Sequence, residues 1–453
     1  MKTLLTINFA TLLMSSLLIG SPARADSTSP DPALLARGAY VAQAADCNAC
    51  HKGASAGSPD YSGGVPIATP MGEIIGSNIT PSVDYGIGKY SEEDFKKALT
   101  QGIRRDGKNL YPAMPYTAYQ GMTNDDIHAL FVWLKFGVQP VNKAAPETHL
   151  GFPWSIRPMM GIWNLFNNYF PTPVTSLKDV QLQRGDYLGE VLGHCSACHS
   201  PRNFMMGESR SARFSGGQVG GWAVPNITSD PISGVGGWSD AQLKQYLKTG
   251  HVEGRGIAAS GMGEAVENSL SYLNDSDIDA IVTWLRQIPA VRDPEDQQPA
   301  WSYAGDPARA QHLPGKALFL SSCAACHRDA GQGANNDSFP ALTHNSTTGN
   351  HNPSNLVMVI LDGVDRQGRF APVHMPGLRD TLSDEQIAQV ANYVTASFGN
   401  PHVQVSGDFV AQQRQGGAKP LLLRLMPWGG GAALLLVVLL GWQISRKRAG
   451  KPQ

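Results

Sequence analysis

Six cysteines occur in the chain, and all six fall in three copies of one pattern: Cys47-Asn48-Ala49-Cys50-His51, Cys195-Ser196-Ala197-Cys198-His199 and Cys323-Ala324-Ala325-Cys326-His327. Two thiols separated by two residues can reach the two vinyl groups on one side of a porphyrin, and a histidine directly after the second thiol presents imidazole to the iron. This is the attachment pattern of a c-type haem. Disulfides, zinc binding and thiol–disulfide exchange are the competing uses of paired cysteines in an exported chain. None of them requires a histidine after every second cysteine. The reading is therefore three covalently bound haem c groups, attached through Cys47, Cys50, Cys195, Cys198, Cys323 and Cys326, with His51, His199 and His327 as proximal iron ligands.

A sixth ligand for each iron is expected from a later loop in each unit. Met114 lies in Pro112-Ala113-Met114-Pro115, where flanking prolines exclude a helix, 63 residues after His51. Met262, in Gly261-Met262-Gly263, stands at the same interval of 63 from His199. Met375 follows His327 by 48, with the adjacent His374 as its rival. Methionine is more often core filler, so packing is the alternative for each of the three; Met71, Met122, Met205, Met206 and Met358 have no matching partner in another unit and read as packing residues. His194 reads as a surface residue or a neighbour of a haem propionate. His/Met ligation raises the reduction potential and fills both axial positions, which argues against a haem that binds peroxide, oxygen or nitrite.

The elements that must position these groups form an internal repeat. Arg37-Gly38-Ala39-Tyr40 before the first motif recurs as Arg184-Gly185-Asp186-Tyr187 before the second. Tyr61-Ser62-Gly63-Gly64 recurs as Phe214-Ser215-Gly216-Gly217, and Asn78-Ile79-Thr80 as Asn226-Ile227-Thr228. Ser91 and Ser239 read as helix N-caps completed by Asp94 and Gln242. Each unit closes with a helix carrying an aromatic: Thr123 to Phe136 with Trp133, Asn274 to Gln287 with Trp284, and Ser383 to Phe398 with Tyr393. Gly315 and Phe319 sit eight and four residues before Cys323, which allows a helix whose glycine faces the closing one.

The expected organisation is a secretory signal at 1–25, cut after Ala25 in Ala23-Arg24-Ala25, then units at 30–138, 179–289 and 309–399. A connector at 139–178 is rich in proline and aromatics, including Trp154, Met159, Met160, Trp163 and Phe166, and reads as packed between the first two units rather than presented to a membrane or partner. A polar linker covers 290–308 and a tether 400–424. No charge occurs between Arg424 and Arg446, so a transmembrane helix is expected at 425–445, with Trp428 and Trp442 at its interfaces and the basic tail 446–453 in the cytoplasm. The formal charge of −1 then divides, leaving 30 basic against 37 acidic side chains in the exported body. Such a balance offers nothing to neutralise a phosphate backbone and argues against nucleic-acid binding.

The third unit's pairing of an N-terminal with a closing helix resembles class I cytochrome c. By that resemblance, Pro340 places a carbonyl on the free ring nitrogen of His327. The fold expected is mainly α: three tandem class I cytochrome c domains plus the C-terminal transmembrane helix. The whole arrangement, with Gly76-Ser77-Asn78-Ile79-Thr80-Pro81, Gly86-Ile87-Gly88 and Leu110-Tyr111-Pro112-Ala113-Met114-Pro115, resembles the three-haem cytochrome c subunits of membrane-bound periplasmic dehydrogenases. The resemblance implies a separate catalytic dehydrogenase subunit, quinoprotein or flavoprotein, with electrons passing through this chain to ubiquinone in the inner membrane. The haem domains would lie on the periplasmic side, and no substrate-oxidising site is expected in this chain. An electron-donating subunit of a terminal oxidase and a haem peroxidase are the other readings.

Overall fold

The computed structural model describes residues 30–55, 57–167, 179–334, 339–370 and 372–426. The expected signal at 1–25 lies outside them. The first unit contains α1 (Pro32–Ala44), α2 (Cys47–His51), the hairpin β1 (Pro66–Thr69) and β2 (Gly72–Ile75), α3 (Glu92–Gln101), α4 (Tyr116–Tyr119) and α5 (Asn124–Phe136). Helix α6 (Met159–Asn167) belongs to the connector. The second unit has α7 (Val180–Asp186), which runs on into a π-helical turn at Tyr187–Leu192, then α8 (Cys195–His199), β3 (Gly217–Val219), β4 (Trp222–Val224) and α9 (Asp240–Thr249). It ends with β5 (His251–Val252), β6 (Gly256–Ile257), α10 (Ser260–Asn268) and α11 (Asp275–Leu285). The third unit has α12 (Pro307–Ala310), α13 (Gly315–Ser322), α14 (Ala324–His327), α15 (Ser346–Gly349) and α16 (Ser354–Asp362). It continues with β7 (Gly363–Arg366), β8 (Val373–Pro376), α17 (Asp384–Phe398) and α18 (Gly407–Arg414). Each hairpin is a two-stranded antiparallel ribbon, and helices dominate the described residues.

The closing helices form where the apolar period and the caps agree. Ile127, Leu130 and Leu134 on α5, Ile278, Ile281 and Leu285 on α11, and Ile387, Val390 and Val394 on α17 are buried at matching three- and four-residue steps. Thr123 and Asn274 cap α5 and α11, and Ser383 opens α17 with a capping box through Gln386. The boxes expected at Ser91/Asp94 and Ser239/Gln242 also form.

In every unit the helix before the haem motif crosses the closing helix at a glycine. A Cβ on Gly38 would stand 2.5 Å from Trp133 Cβ, one on Gly185 2.7 Å from Trp284 Cβ, and one on Gly315 2.5 Å from the carbonyl carbon of Gln389. No side chain fits there, so the backbones themselves touch.

The first two units share one continuous core and a seam with approximate two-fold character. Arg37 Nε donates to Asp126 Oδ1 at 2.7 Å, and Tyr187 of the second unit donates to Asp126 Oδ2 at 2.6 Å. In mirror fashion Arg184 grips Asp277 at 2.6 and 2.8 Å, and Tyr40 of the first unit donates to Asp277 Oδ2 at 2.5 Å. The arginine and tyrosine of the repeated Arg-Gly-x-Tyr strings thus meet the same aspartate from two units. The third unit has its own core, which takes in Val403, Val405 and Val410, so part of the segment expected as a tether packs as structure.

One expectation about the fold is corrected. Among the described residues no helix is long and apolar enough to cross a membrane. The longest, α17, has 15 residues and spans roughly 22 Å, short of the ~30 Å hydrocarbon layer. The C-terminal transmembrane helix, and with it the single-span placement in the inner membrane, is therefore withdrawn; residues 427–453, where most of it was expected, lie outside the described ones.

The connector differs in part from expectation. Trp163 Nε1 donates to Met205 O at 2.9 Å, Tyr116 donates to Asn164 Oδ1 at 2.7 Å, and Met160 and Asn167 are buried, so one face of α6 joins the first two units. The opposite face leaves Ile162, Leu165 and Phe166 exposed. A single amphipathic helix satisfies both demands.

Candidate functional site

Each Cys-x-x-Cys-His string forms one short helical turn, with Cys323 as the N-cap of the third, so both cysteines and the histidine stand on one turn. The chain is then turned back on the motif by a glycine. Gly63 N–H donates to His51 O at 2.7 Å, Gly216 N–H to His199 O at 2.8 Å, and Gly333 N–H to His327 O at 3.0 Å. All three glycines have positive φ, at 73°, 98° and 67°, a region that side chains disfavour. Tyr61 and Phe214 pack edge-on against Trp133 and Trp284 with ring centroids 5.2 and 5.3 Å apart, which ties this turn to the closing helix.

The histidines are oriented alike. Nδ1 of His51 lies 2.6 Å from Ser77 O, that of His199 2.7 Å from Pro225 O, and that of His327 3.0 Å from Pro340 O. A carbonyl oxygen can only accept, so Nδ1 carries the proton and the Nε2 lone pair is left for a metal. Burial holds all three imidazoles below the usual histidine pKa, against the opposing effect of the carbonyl bond, and so keeps them neutral. The bond from His327 to Pro340 agrees with the class I resemblance.

Ser77 and Pro225 escaped the sequence reading, because a backbone carbonyl leaves no mark in residue type. The signal was present one residue later. Asn78 Oδ1 accepts the N–H and hydroxyl of Thr80, Asn226 Oδ1 does the same for Thr228, and both asparagines donate onward to Val141 O or Val291 O. The repeated Asn-Ile-Thr string is a bracket that aims the preceding carbonyl at the ring.

The cysteines are all unpaired as disulfides, and among the described residues none joins a protein cluster able to hold a metal. Burial, with the Asp46 carboxylate adding to it, pushes the Cys47 and Cys50 thiols up to about 12. Burial with Glu190 does the same to Cys195, and burial with Cys326 pushes Cys323 up to about 11. Such shifts disfavour the thiolate that exchange nucleophiles use, and by accessibility the cysteines are half-buried except Cys198, which is exposed.

Of the candidate sixth ligands, Met114 is brought to its histidine most plainly. It sits in a turn, and it lines with Cys47, Cys50 and His51 one open cavity of about 2460 Å³. That cavity extends past α6 to Cys198 of the second unit and is large enough to take a porphyrin. Met262 is half-buried in the first turn of α10, not in a loop, because the flanking glycines follow the positive-φ residue Ser260 into helix. Met375 is half-buried on β8, whereas His374, its neighbour, projects from the opposite face and faces Asp365 at 3.8 Å. Strand alternation separates the two rivals. His194 is half-buried: it packs edge-on against Tyr119 with centroids 5.8 Å apart, and burial drops its pKa to about 4.

Sequence comparison agrees with this geometry. The cytochrome c family profile matches residues 313–397, the third unit. Over 95% of its length the chain is 42% identical to the fructose dehydrogenase cytochrome subunit of Gluconobacter japonicus, of which 96% is covered. It is 38% identical to the cytochrome c subunit of the quinone-type alcohol dehydrogenase of Gluconacetobacter polyoxogenes, over 89% of the chain and 88% of the relative. It is 35% identical to the gluconate 2-dehydrogenase cytochrome c subunit of Pantoea cypripedii, over 88% and 92%. The chain belongs to the family of dehydrogenase cytochrome c subunits. Membership implies covalently bound haem c and a role in electron transfer, and the paired free thiols and the neutral, oriented imidazoles described above fit that group.

Proposed function

We propose that this subunit carries three haem c groups and conducts electrons from a catalytic dehydrogenase subunit to ubiquinone. The observation that carries the reading is the threefold recurrence of one arrangement: a Cys-x-x-Cys-His turn, a glycine folding back on it, and a carbonyl on Nδ1 of the histidine. In this reading Cys47 and Cys50, Cys195 and Cys198, and Cys323 and Cys326 hold the porphyrins, while His51 with Met114, His199 with Met262, and His327 with Met375 are the axial ligands. Bound haem c supplies a one-electron iron couple whose potential methionine ligation keeps high.

The protein's own residues do the rest. The Ser77, Pro225 and Pro340 carbonyls fix the imidazoles and add to their basicity. The glycine crossings bring each haem-bearing turn against its closing helix. The relatives are cytochrome subunits of dehydrogenases, which supports a dehydrogenase partner over a terminal oxidase; in this reading methionine fills the second axial position of each iron, which speaks against a peroxidase.

In this reading the connector receives the quinone. The exposed apolar side chains Leu165 and Phe166 belong to α6, other residues of which line the large cavity, a combination suited to receiving a lipophilic molecule from a membrane surface. In the purified complex, substrate should reduce the haems and added ubiquinone should reoxidise them, and Leu165→Glu with Phe166→Glu should slow only the second step. Full reduction by substrate with no reoxidation by ubiquinone would sink this reading.

A further inference from the structure

Glu190 is a buried carboxylate beside the second Cys-x-x-Cys-His turn. It is 2% exposed and sits in the π-helical turn Tyr187–Leu192. One oxygen, Oε1, accepts the Ser196 hydroxyl at 2.8 Å and meets the Arg213 guanidinium in an ion pair. The other, Oε2, is buried and has no hydrogen-bond partner among the described residues. Ser196 directly follows Cys195, and Glu190 lines the large cavity together with Ser196 and Cys198.

The repeat shows what is added here. Arg184 stands 11 residues before Cys195, whereas Arg37 stands 10 before Cys47. The extra residue is taken up by the π-helical turn, where α1 of the first unit is regular α-helix to Ala44, and such turns recur at functional sites. Asn48 stands where Ser196 does, and Asp60 where Arg213 does, one residue ahead of the aromatic that packs on the closing helix. In the first unit Asn48 Nδ2 donates straight to Asp60 Oδ1 at 2.8 Å. In the second a buried acid is interposed between the two positions, and in the third Ala324 takes the place of the donor. A purely structural joint needs no such acid, because two short side chains already close it in the first unit.

The acid is poised between its two protonation states. Burial pushes its carboxyl up to about 7; Arg213 and the Ser196 hydroxyl pull the other way, while Glu208 and Asp186 add to the push. Its charge also helps hold the Cys195 thiol up, so it is felt at an atom that the three-haem reading bonds to porphyrin. Reduction of a haem iron removes one positive charge from the neighbourhood, which makes a nearby carboxylate less stable relative to its acid. Oε2 can take a proton without breaking an existing hydrogen bond. Resting on the three-haem reading, we propose that Glu190 binds a proton when the second haem is reduced and releases it when that haem is oxidised, so that this haem's potential falls as pH rises. The electron comes from the dehydrogenase subunit and the proton from solvent in the cavity that Glu190 lines. One O–H bond forms on Glu190, and no bond to carbon is made or broken.

The test uses the full chain in complex with its dehydrogenase, with haem content measured first: fewer than three haems per chain in the unaltered protein would overturn the three-haem reading itself. Spectroelectrochemical titration between about pH 6 and 8 should then show the second haem's step falling by at least about threefold, ~28 mV for a one-electron couple. That step is the one missing when Cys195 and Cys198 are both replaced by serine. The first unit has a carboxylate of its own in Asp46 beside Cys47, so each step is followed separately. Glu190→Gln should hold the second haem's step within about twofold across the same range and leave the pH dependence of the other two as it was. A Glu190 that only braces the turn would shift the step alike at every pH, so an unchanged fall in Glu190→Gln, or no fall in the unaltered protein, would overturn the proposal. Should Glu190→Gln not assemble, Ser196→Ala decides, since the third turn already folds with Ala324 at that place. Loss of the hydroxyl disfavours the carboxylate, so the pH at which the step falls should move up by about one unit, and an unmoved midpoint would overturn the proposal.

Discussion

The glycine crossings make a prediction whose sign is the reverse of the ordinary rule. Replacing a helical glycine by alanine normally stabilises by up to ~1 kcal/mol. At Gly38 the new Cβ would meet Trp133 Cβ at 2.5 Å and the Ala129 carbonyl carbon at 2.7 Å, and at Gly185 the Ala280 carbonyl carbon and Trp284 Cβ, both at 2.7 Å. Comfortable carbon contacts lie near 3.5–4.0 Å, so α1 must draw back from α5, and α7 from α11, by about 1 Å. The walls are backbone and Cβ atoms, which cannot rotate away. Overpacking at the upper end of the usual range, about 3 kcal/mol, less the propensity gain of about 1, leaves a net loss of about 2 kcal/mol. For the shared core of the first two units this corresponds to a fall in Tm of about 4–8 °C. Gly161 on the exposed face of α6 is the control, since its nearest neighbour would be Asn109 Nδ2 at 3.7 Å. Gly161→Ala should raise Tm slightly. Thermal unfolding followed by circular dichroism, together with haem absorbance, reads all three variants. Should Gly38→Ala and Gly185→Ala stabilise the protein as Gly161→Ala does, the backbone-contact account of the crossings is wrong.

Three more outcomes follow from the site and the seam. Asn226→Ala removes the bracket behind Pro225 and should cost about 1–3 kcal/mol in thermal stability; the haem carried by His199 should also rise in potential, since a looser carbonyl makes the imidazole less basic, and an unmoved potential would count against the bracket. Asp277→Asn tests the seam by pH. Burial opposes ionisation of Asp277, but the bonds from Arg184 and Tyr40 prevail and hold its carboxyl below the usual range. Its contribution is therefore present above the ordinary aspartate value of about 3.9 and is lost as pH falls through the lower folded value, so the variant should be less stable at neutral pH and converge with the unaltered protein in acid. A gap independent of pH in urea unfolding would contradict this. Met375→Ala should open the third iron to carbon monoxide while His374→Ala leaves its spectrum unchanged, and the reverse pattern would transfer the ligand role to His374.

Local signals were the readable part of this chain. Ser91 with Asp94 and Ser239 with Gln242 mark helix starts because a capping box is written within four residues, and Gly315 marks a crossing because its spacing from Cys323 fixes its face. The His-to-carbonyl bonds were half legible: Pro340 followed from resemblance, whereas Ser77 and Pro225 act through backbone oxygen. What remained hidden depends on partners far apart in the chain. Tyr40 and Asp277 are 237 residues apart, and Arg366 reaches Gly250 across 116. The connector composition could not reveal that one face of α6 packs and the other does not, because the aromatic residues occur on both. The apolar stretch after Arg424 suggested a membrane span that no described helix provides.

The central claim is one haem per Cys-x-x-Cys-His turn, and counting haem against protein tests it most directly. Quantitative haem absorbance with intact-protein mass spectrometry should give three covalently bound haems per chain, falling to two when Cys195 and Cys198 are both replaced by serine. A single haem per chain, confined to the third unit that matches the cytochrome c profile and indifferent to the Cys195→Ser, Cys198→Ser pair, would contradict the account.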